Sequence, residues 1–322
     1  MLTKSLFASL LLSTSLCLSA PAETTTPTAS TPGVGEYSVA GEDGEHDGER
    51  KEVEDLMNNL EAAWNKHDLD AVMSNYADDY TNNDGIDKSI VAKLTKEFWS
   101  TYPDARAQSK TKQIRVEGNF ATVYSRDTTT GTNAREIQGS KMKGELQSVS
   151  EGQLYLKKLS NVWKIIGDRV DYEKVKVAFG LAKELNTTFT APEQMKAGKQ
   201  FSARLEVTLP PGLNAVGSIS SQPLRYPQPS ATEGQRVLDH TATLERILHA
   251  NSENCNELLS ARVILTDPTR EKVLGYAHLT RRLNVVPEAL PATADEIASS
   301  DAREKSEEKA QKADEKTQNS TK

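Results

Sequence analysis

The sequence predicts an α+β chain with two folded parts in series. The first is a small cone, a curved antiparallel sheet wrapped over three helices. The second is an all-β sandwich. Three observations predict this. Apolar residues recur at helical spacing from Glu52 to Tyr102. The period then changes to two, from Gln113 to Tyr172. A second alternating block without helical pattern follows, from Phe201 to Val286.

The chain opens on a secretory leader, residues 1–22. Lys4 supplies positive charge, Leu6 to Leu18 is apolar, and Ala20-Pro21-Ala22 satisfies the small-x-small rule, with cleavage near Ala22. The apolar run is about a dozen residues, too short for a hydrocarbon core of about 30 Å. Export to the periplasm or extracellular space is therefore expected. Bulky Leu16 before Cys17 argues against lipid attachment. Removing the leader leaves Cys255 as the only cysteine, so no internal disulfide is expected and packed cores must supply the stability. Cys255 lies in a polar run, Asn251 to Asn256, and reads as a structural thiol.

Residues 23–48 are rich in Thr, Pro, Gly and acids and read as a disordered acidic linker. Residues 288–322 mix Ala, Glu, Lys, Asp and Ser without an apolar face and read as a disordered charged tail. The net charge is −7 and the acids are spread along the chain, with no basic stripe, which excludes a nucleic-acid footprint. The pair Arg281-Arg282 reads as exposed strand surface.

Within residues 49–174, Val53, Leu56, Met57, Leu60, Ala63 and Trp64 form one helical face. Asp68 is placed to cap a second helix carrying Leu69, Val72, Met73 and Tyr76. A short strand at Tyr80-Thr81 and a turn at Asn82 to Gly85 precede a third helix, begun by Asp87 or Ser89 and ended before Pro103. Gly118-Asn119 turns a hairpin, residues 128–147 read as a long loop, and Ser160-Asn161 turns into a closing strand, Val162 to Tyr172. Parity puts Trp163, Ile165, Gly167 and Arg169 on one face of that strand and Asp168 on the other.

The run Ala62-Ala63-Trp64-Asn65-Lys66-His67-Asp68-Leu69-Asp70-Ala71-Val72-Met73-Ser74-Asn75-Tyr76-Ala77-Asp78-Asp79-Tyr80 resembles the opening of the nuclear transport factor 2-like superfamily, including its SnoaL-like members. The paired endings Leu154-Tyr155-Leu156 and Trp163-Lys164-Ile165-Ile166 resemble its last strands. The resemblance covers roughly two fifths of the chain. It implies a nuclear transport factor 2-like cone with a pocket between helices and sheet, in a superfamily of isomerases, cyclases, dehydratases and binding domains. It also implies homodimers through the outer sheet face.

The pocket candidates are Trp64, Phe98, Trp99, Tyr124, Tyr155 and Arg126. Asp168 with Tyr76 or Tyr80 supplies a carboxylate base and an oxyanion stabiliser for an isomerase-type reaction. The same residues serve equally as aromatic core and outward strand charge, and Asp127 and Asp168 near strand ends read as solvated acids. His67, His240, His249 and His278 lack metal-ligand spacing, and no phosphate loop or dinucleotide fingerprint is present. No metal or cofactor is expected.

Residues 175–187 read as a connector, in which Val175 to Leu185 can extend the last strand. In residues 188–287, alternating runs at Phe201 to Leu209, Val216 to Ile219, Val237 to Leu248, Leu258 to Thr266 and Gly275 to Val286 predict an immunoglobulin-like β-sandwich. Arg225-Tyr226-Pro227-Gln228-Pro229 reads as a long inter-strand loop with an exposed Tyr. The favoured functional reading is a non-catalytic exported binding or scaffold protein. Its cone would hold a small apolar ligand or dimerise, and its sandwich would contact an envelope or extracellular protein. The alternative is a small-molecule isomerase, cyclase or dehydratase using a Tyr/Asp pair.

Overall fold

Helix α1, Asp47–Asn65, presents Val53, Met57, Leu60 and Trp64 to the interior. It begins inside the acidic run assigned to the linker, where Asp47 and Glu49 favour the positive end of the helix dipole. The computed structural model describes residues 46–133, 142–228, 234–238, 242–253 and 255–287. The leader, most of the acidic linker and the charged tail lie outside the described residues. Helix α2, Leu69–Ser74, is capped by the Asp68 carboxylate, which accepts from Ala71 N at 3.0 Å. Helix α3, Lys88–Thr101, is capped in the same way by Asp87, which accepts from Ile90 N at 2.8 Å. Among the described residues no helix is long and apolar enough to cross a membrane.

Four long strands form the cone's sheet in sequential antiparallel order: β1 (Arg106–Glu117), β2 (Phe120–Asn133), β3 (Gly144–Leu159) and β4 (Val162–Gly180). The loop expected over residues 128–147 is instead mostly strand. Thr128 to Asn133 pair in register with Gly144 to Val149, and residues 134–141 lie outside the described residues. Their Thr, Ser and Gly residues carry weak apolar alternation, yet as β2 and β3 they complete a cross-strand ladder. One face of this sheet packs on the helices in a core containing Trp64, Val72, Phe98, Val123, Leu154 and Ile165.

Beyond Lys174 the last strand continues. Val175, Val177 and Phe179 sit on its inner face and join the cone's core. Gly180 closes the strand at φ +56°, a conformation that L side chains avoid. A 3-10 turn, Leu181–Lys183, follows. The second half contributes β5 (Thr187–Thr190), β6 (Gln194–Lys196), β7 (Gln200–Val207), β8 (Asn214–Pro223), β9 (Arg236–Val237), β10 (Thr243–His249), β11 (Glu257–Thr266) and β12 (Val273–Val286).

Strands β10, β7 and β5 make a three-stranded sheet. It shares a second core with one face of β8, β11 and β12, containing Phe189, Leu205, Ile219, Ala261, Val263 and Leu279. The larger layer is not a separate sheet. β12 pairs antiparallel with β4, from Gly275↔Gly180 to Arg281↔Lys174, so one nine-stranded sheet runs β1-β2-β3-β4-β12-β11-β8-β9, with β6 alongside β12. Residues 46–286 accordingly belong to one compact unit.

A buried ion pair ties the two halves together. The Asp84 carboxylate, in the turn before α3, accepts from Arg282 Nη1 at 2.9 Å and Nη2 at 2.7 Å, and from Asn256 Nδ2 at 2.8 Å. Their side chains are 4% and 2% exposed. Arg282 is thus an internal cation and not exposed strand surface. Arg281 is likewise engaged, donating to Phe189 O at 3.1 Å. Tyr226 is half-buried against the cone's core, with Lys93 Nζ 5.4 Å from its ring centre, so the loop is docked.

Candidate functional site

The inner face of the cone's sheet is apolar at one end and acidic in the middle. At the apolar end Ala121, Val123, Leu154, Leu156, Trp163 and Ile165 pack under α1 and α2. Further along, the inward positions of β2 and β3 become Ser125, Asp127, Gly152, Ser150 and Ser148. Two irregularities in β4 decide what it contributes. Tyr155 pairs with Gly167 but Leu156 with Ile165, so Ile166 is an extra residue. Likewise Glu151 pairs with Tyr172 but Gly152 with Val170, which makes Asp171 extra. Each bulge flips parity, turning Asp168 and then Glu173 inward. Gly167 suits the first bulge because a Cβ there would stand 2.9 Å from Thr81 O.

Three carboxylates therefore lie on one buried face: Asp127 at 3% exposure, Asp168 at 2% and Glu173 at 1%. Asp127 and Glu173 flank Ser150 on adjacent strands, which puts their Cα atoms about 10 Å apart. Asp127 is held by hydroxyls. Ser109 Oγ donates to it at 2.6 Å, and Ser125 Oγ is 3.3 Å from both of its oxygens. Burial pushes its carboxyl above the usual range, a shift the two hydroxyls oppose. Among the described residues Asp127 forms no ion pair, and no group of three His, Cys, Asp or Glu side chains stands close enough to hold a metal ion.

The sequence-derived residues separate into two sets. Trp64, Phe98 and Trp99 do meet in the cone, with Trp64 centred 5.7 Å from Phe98 and 5.8 Å from Trp99. His67 stacks on Trp99 at 4.7 Å. Tyr76 and Tyr80 are buried and contact each other edge to face at 5.1 Å. Asp168 joins this interior, contrary to its strand parity, because of the bulge at Ile166. Tyr124, Tyr155 and Arg126 do not, since they alternate onto the outer face of the sheet. There Tyr124 Oη donates to Glu151 at 2.9 Å, and Arg126 and Lys112 pair with the same carboxylate at 2.5 and 2.8 Å. Tyr155 Oη donates to Gln153 Oε1 at 3.1 Å on the same outer face, so Tyr124, Tyr155 and Arg126 are not pocket walls.

From sequence Asp127 reads as a solvated strand-end acid, whereas the structure buries it at 3% exposure, and Glu173 carries no sequence signal. The alternation Val123, Ser125, Asp127, Thr129 was the one available signal for Asp127, because it continues the inward face of β2.

No protein-family model and no curated protein matches this chain. Solved structures do. Bd1075 of Bdellovibrio bacteriovorus matches at 16% identity and a TM-score of 0.32, over 39% of this chain and 41% of that one. A ketosteroid isomerase-like protein from Erwinia carotovora atroseptica matches at 18% identity and 0.30, over 38% of this chain and 94% of that one. A nuclear transport factor 2-like superfamily protein from Salmonella enterica matches at 14% and 0.31, over 38% and 88%. This chain thus spans under half the length of the first of these.

Proposed function

We propose that this is an exported small-ligand-binding protein whose cone holds a molecule with an apolar body and an amine or hydroxyl, anchored on Asp127. The observation behind this reading is Asp127 itself, a carboxylate 3% exposed whose described partners are two serine hydroxyls. Burying a carboxylate costs stability, and a face serving only as core gains nothing from it. Such costs concentrate where a group serves a ligand. The aromatic cluster of Trp64, Tyr76, Tyr80 and Phe98 provides apolar surface in the same core. The second half is read as an immunoglobulin-like sandwich for protein contacts, on the strength of its two-layer packing.

The test is a thermal-shift screen of residues 23–322 with apolar compounds, each paired with an isostere lacking the amine or hydroxyl. The shared sheet requires both halves to be present. A ligand at a hundred times its Kd stabilises by about 2.7 kcal/mol. Shifts confined to the donor-bearing members and lost in Asp127→Asn support the proposal. Equal shifts by both members, or none at all, count against it.

An enzymatic reading has one specific observation in its favour. A carboxyl raised by burial is poised for proton transfer, as an isomerase, cyclase or dehydratase requires. Product formation from a bound compound, abolished in Asp127→Asn with binding retained, would decide for that reading.

A further inference from the structure

The chain has three tryptophans, and they differ in what their indole N–H groups meet. Trp163 Nε1 donates to Glu52 at 2.9 Å. Among the described residues, Trp64 Nε1 and Trp99 Nε1 are buried with no hydrogen-bond partner. Trp64 is 0% exposed and Trp99 8%. A buried indole N–H normally finds an acceptor, and phenylalanine fills an apolar core without leaving a donor stranded. The two rings are neighbours, centred 5.8 Å apart and inclined at 64°. In that edge-to-face contact one N–H can meet the face of the other ring, a weak bond, which leaves the other still without an acceptor.

These donors stand at the same end of the cone as Asp127. Helix α1 is tied to β1 by Glu61, which accepts from Ser109 N at 2.7 Å, and by Asn65, which exchanges two hydrogen bonds of 2.8 Å with Ala107. Ser109 is the cross-strand partner of Asp127 and donates to it. The Trp64 end of α1 is therefore about two strand residues, about 7 Å, from Asp127 along β1. We infer that the ligand anchored on Asp127 also carries a neutral oxygen acceptor, a carbonyl or ether, which takes the N–H of Trp64 and Trp99. This rests on the binding function proposed above and specifies the second pole of the ligand. A carbonyl oxygen has two lone pairs and can accept from both indoles. The acceptor is neutral because the sheet face opposite already buries Asp127, Asp168 and Glu173, and an anion there meets like charge. The ligand class is thus an apolar molecule with a donor at one end and an uncharged oxygen acceptor at the other.

The test uses residues 23–322 labelled with nitrogen-15 at tryptophan, which gives three indole N–H signals in nuclear magnetic resonance. Trp99→Phe and Trp163→Phe assign two of them, and Trp64 follows by elimination. Three probes are titrated: 4-hydroxyacetophenone, 4-ethylphenol, which lacks the carbonyl, and acetophenone, which lacks the hydroxyl. With 4-hydroxyacetophenone the Trp64 and Trp99 protons should move downfield saturably, while Trp163, already bonded to Glu52, stays in place. 4-Ethylphenol should bind at least tenfold more weakly and leave the indoles without that displacement. Trp99→Phe should weaken 4-hydroxyacetophenone about fivefold, the loss of one hydrogen bond, and leave 4-ethylphenol unchanged. Acetophenone separates the two readings. If it moves the indoles as tightly as the hydroxylated probe, the Asp127 anchor fails and the indole acceptor site stands. Equal affinity for 4-hydroxyacetophenone and 4-ethylphenol, or no displacement of either indole by any of the three, overturns the inference.

Discussion

Replacing Asp84 by alanine removes the only carboxylate that faces Arg282 among the described ion pairs. The guanidinium stays 2% exposed, keeps its Nε bond to Asn284 Oδ1 at 2.7 Å, and loses two hydrogen bonds at 2.7 and 2.9 Å. A charge left buried and unpaired costs about 3–5 kcal/mol. The Coulomb attraction at this separation is of the same order, about 4 kcal/mol at an effective dielectric constant of 20. Replacing both partners, as Asp84→Ala with Arg282→Met, removes the stranded charge as well. The double variant should therefore lose at least 2 kcal/mol less than the sum of the singles. Urea unfolding of residues 23–322, followed by tryptophan fluorescence and circular dichroism, measures this. The wild-type chain should unfold in one transition by both probes, because β4 and β12 share a ladder. Two separated transitions, a loss below 1 kcal/mol in Asp84→Ala, or strictly additive variants would refute the reasoning.

His278 should make the protein acid-sensitive. Its folded value of about 3 lies below the ordinary 6.5, so the unfolded chain binds the proton first. The contribution is complete above pH 6.5 and is lost as pH falls towards 3. It is of order 5 kcal/mol, at about 1.4 kcal/mol per pH unit over roughly 3.5 units. His278→Gln should flatten the unfolding free energy across that window, and a slope equal to wild type would contradict it. Asp127 has the opposite sign: its raised carboxyl favours folding at low pH, and that contribution is lost as pH rises through the folded value. Asp127→Asn should therefore raise the melting temperature at pH 8 relative to wild type more than at pH 4. Tyr124→Phe and Arg126→Ala act on an exposed cluster around Glu151 and should each change stability by under about 1 kcal/mol, without altering ligand affinity.

Helix positions and caps were legible in the sequence because they rest on local chemistry. Asp68 and Asp87 cap where their spacing to an apolar run places them. Turns at Gly118-Asn119 and Ser160-Asn161 were legible for the same reason, the latter with both residues at positive φ. The acidic floor was not. Alternation on β4 assigns Asp168 outward, and only the pairing register of β3 against β4 reveals the extra residues that turn it inward. The union of the two halves was equally hidden. A strand reads the same from sequence whether its second neighbour is near or distant in the chain, and β4 finds β12 about a hundred residues later. The long polar ends of β2 and β3 lacked apolar alternation, so their pairing was also set by tertiary context.

The measurement closest to the central claim is calorimetric titration of a donor-bearing apolar compound, chosen by thermal shift, into residues 23–322 and into their Asp127→Asn variant. The account predicts saturable binding to the wild-type chain, at least tenfold weaker in the variant, which folds at least as stably. Equal affinity for both chains would contradict an anchor at Asp127 and leave the acidic face without a role in binding.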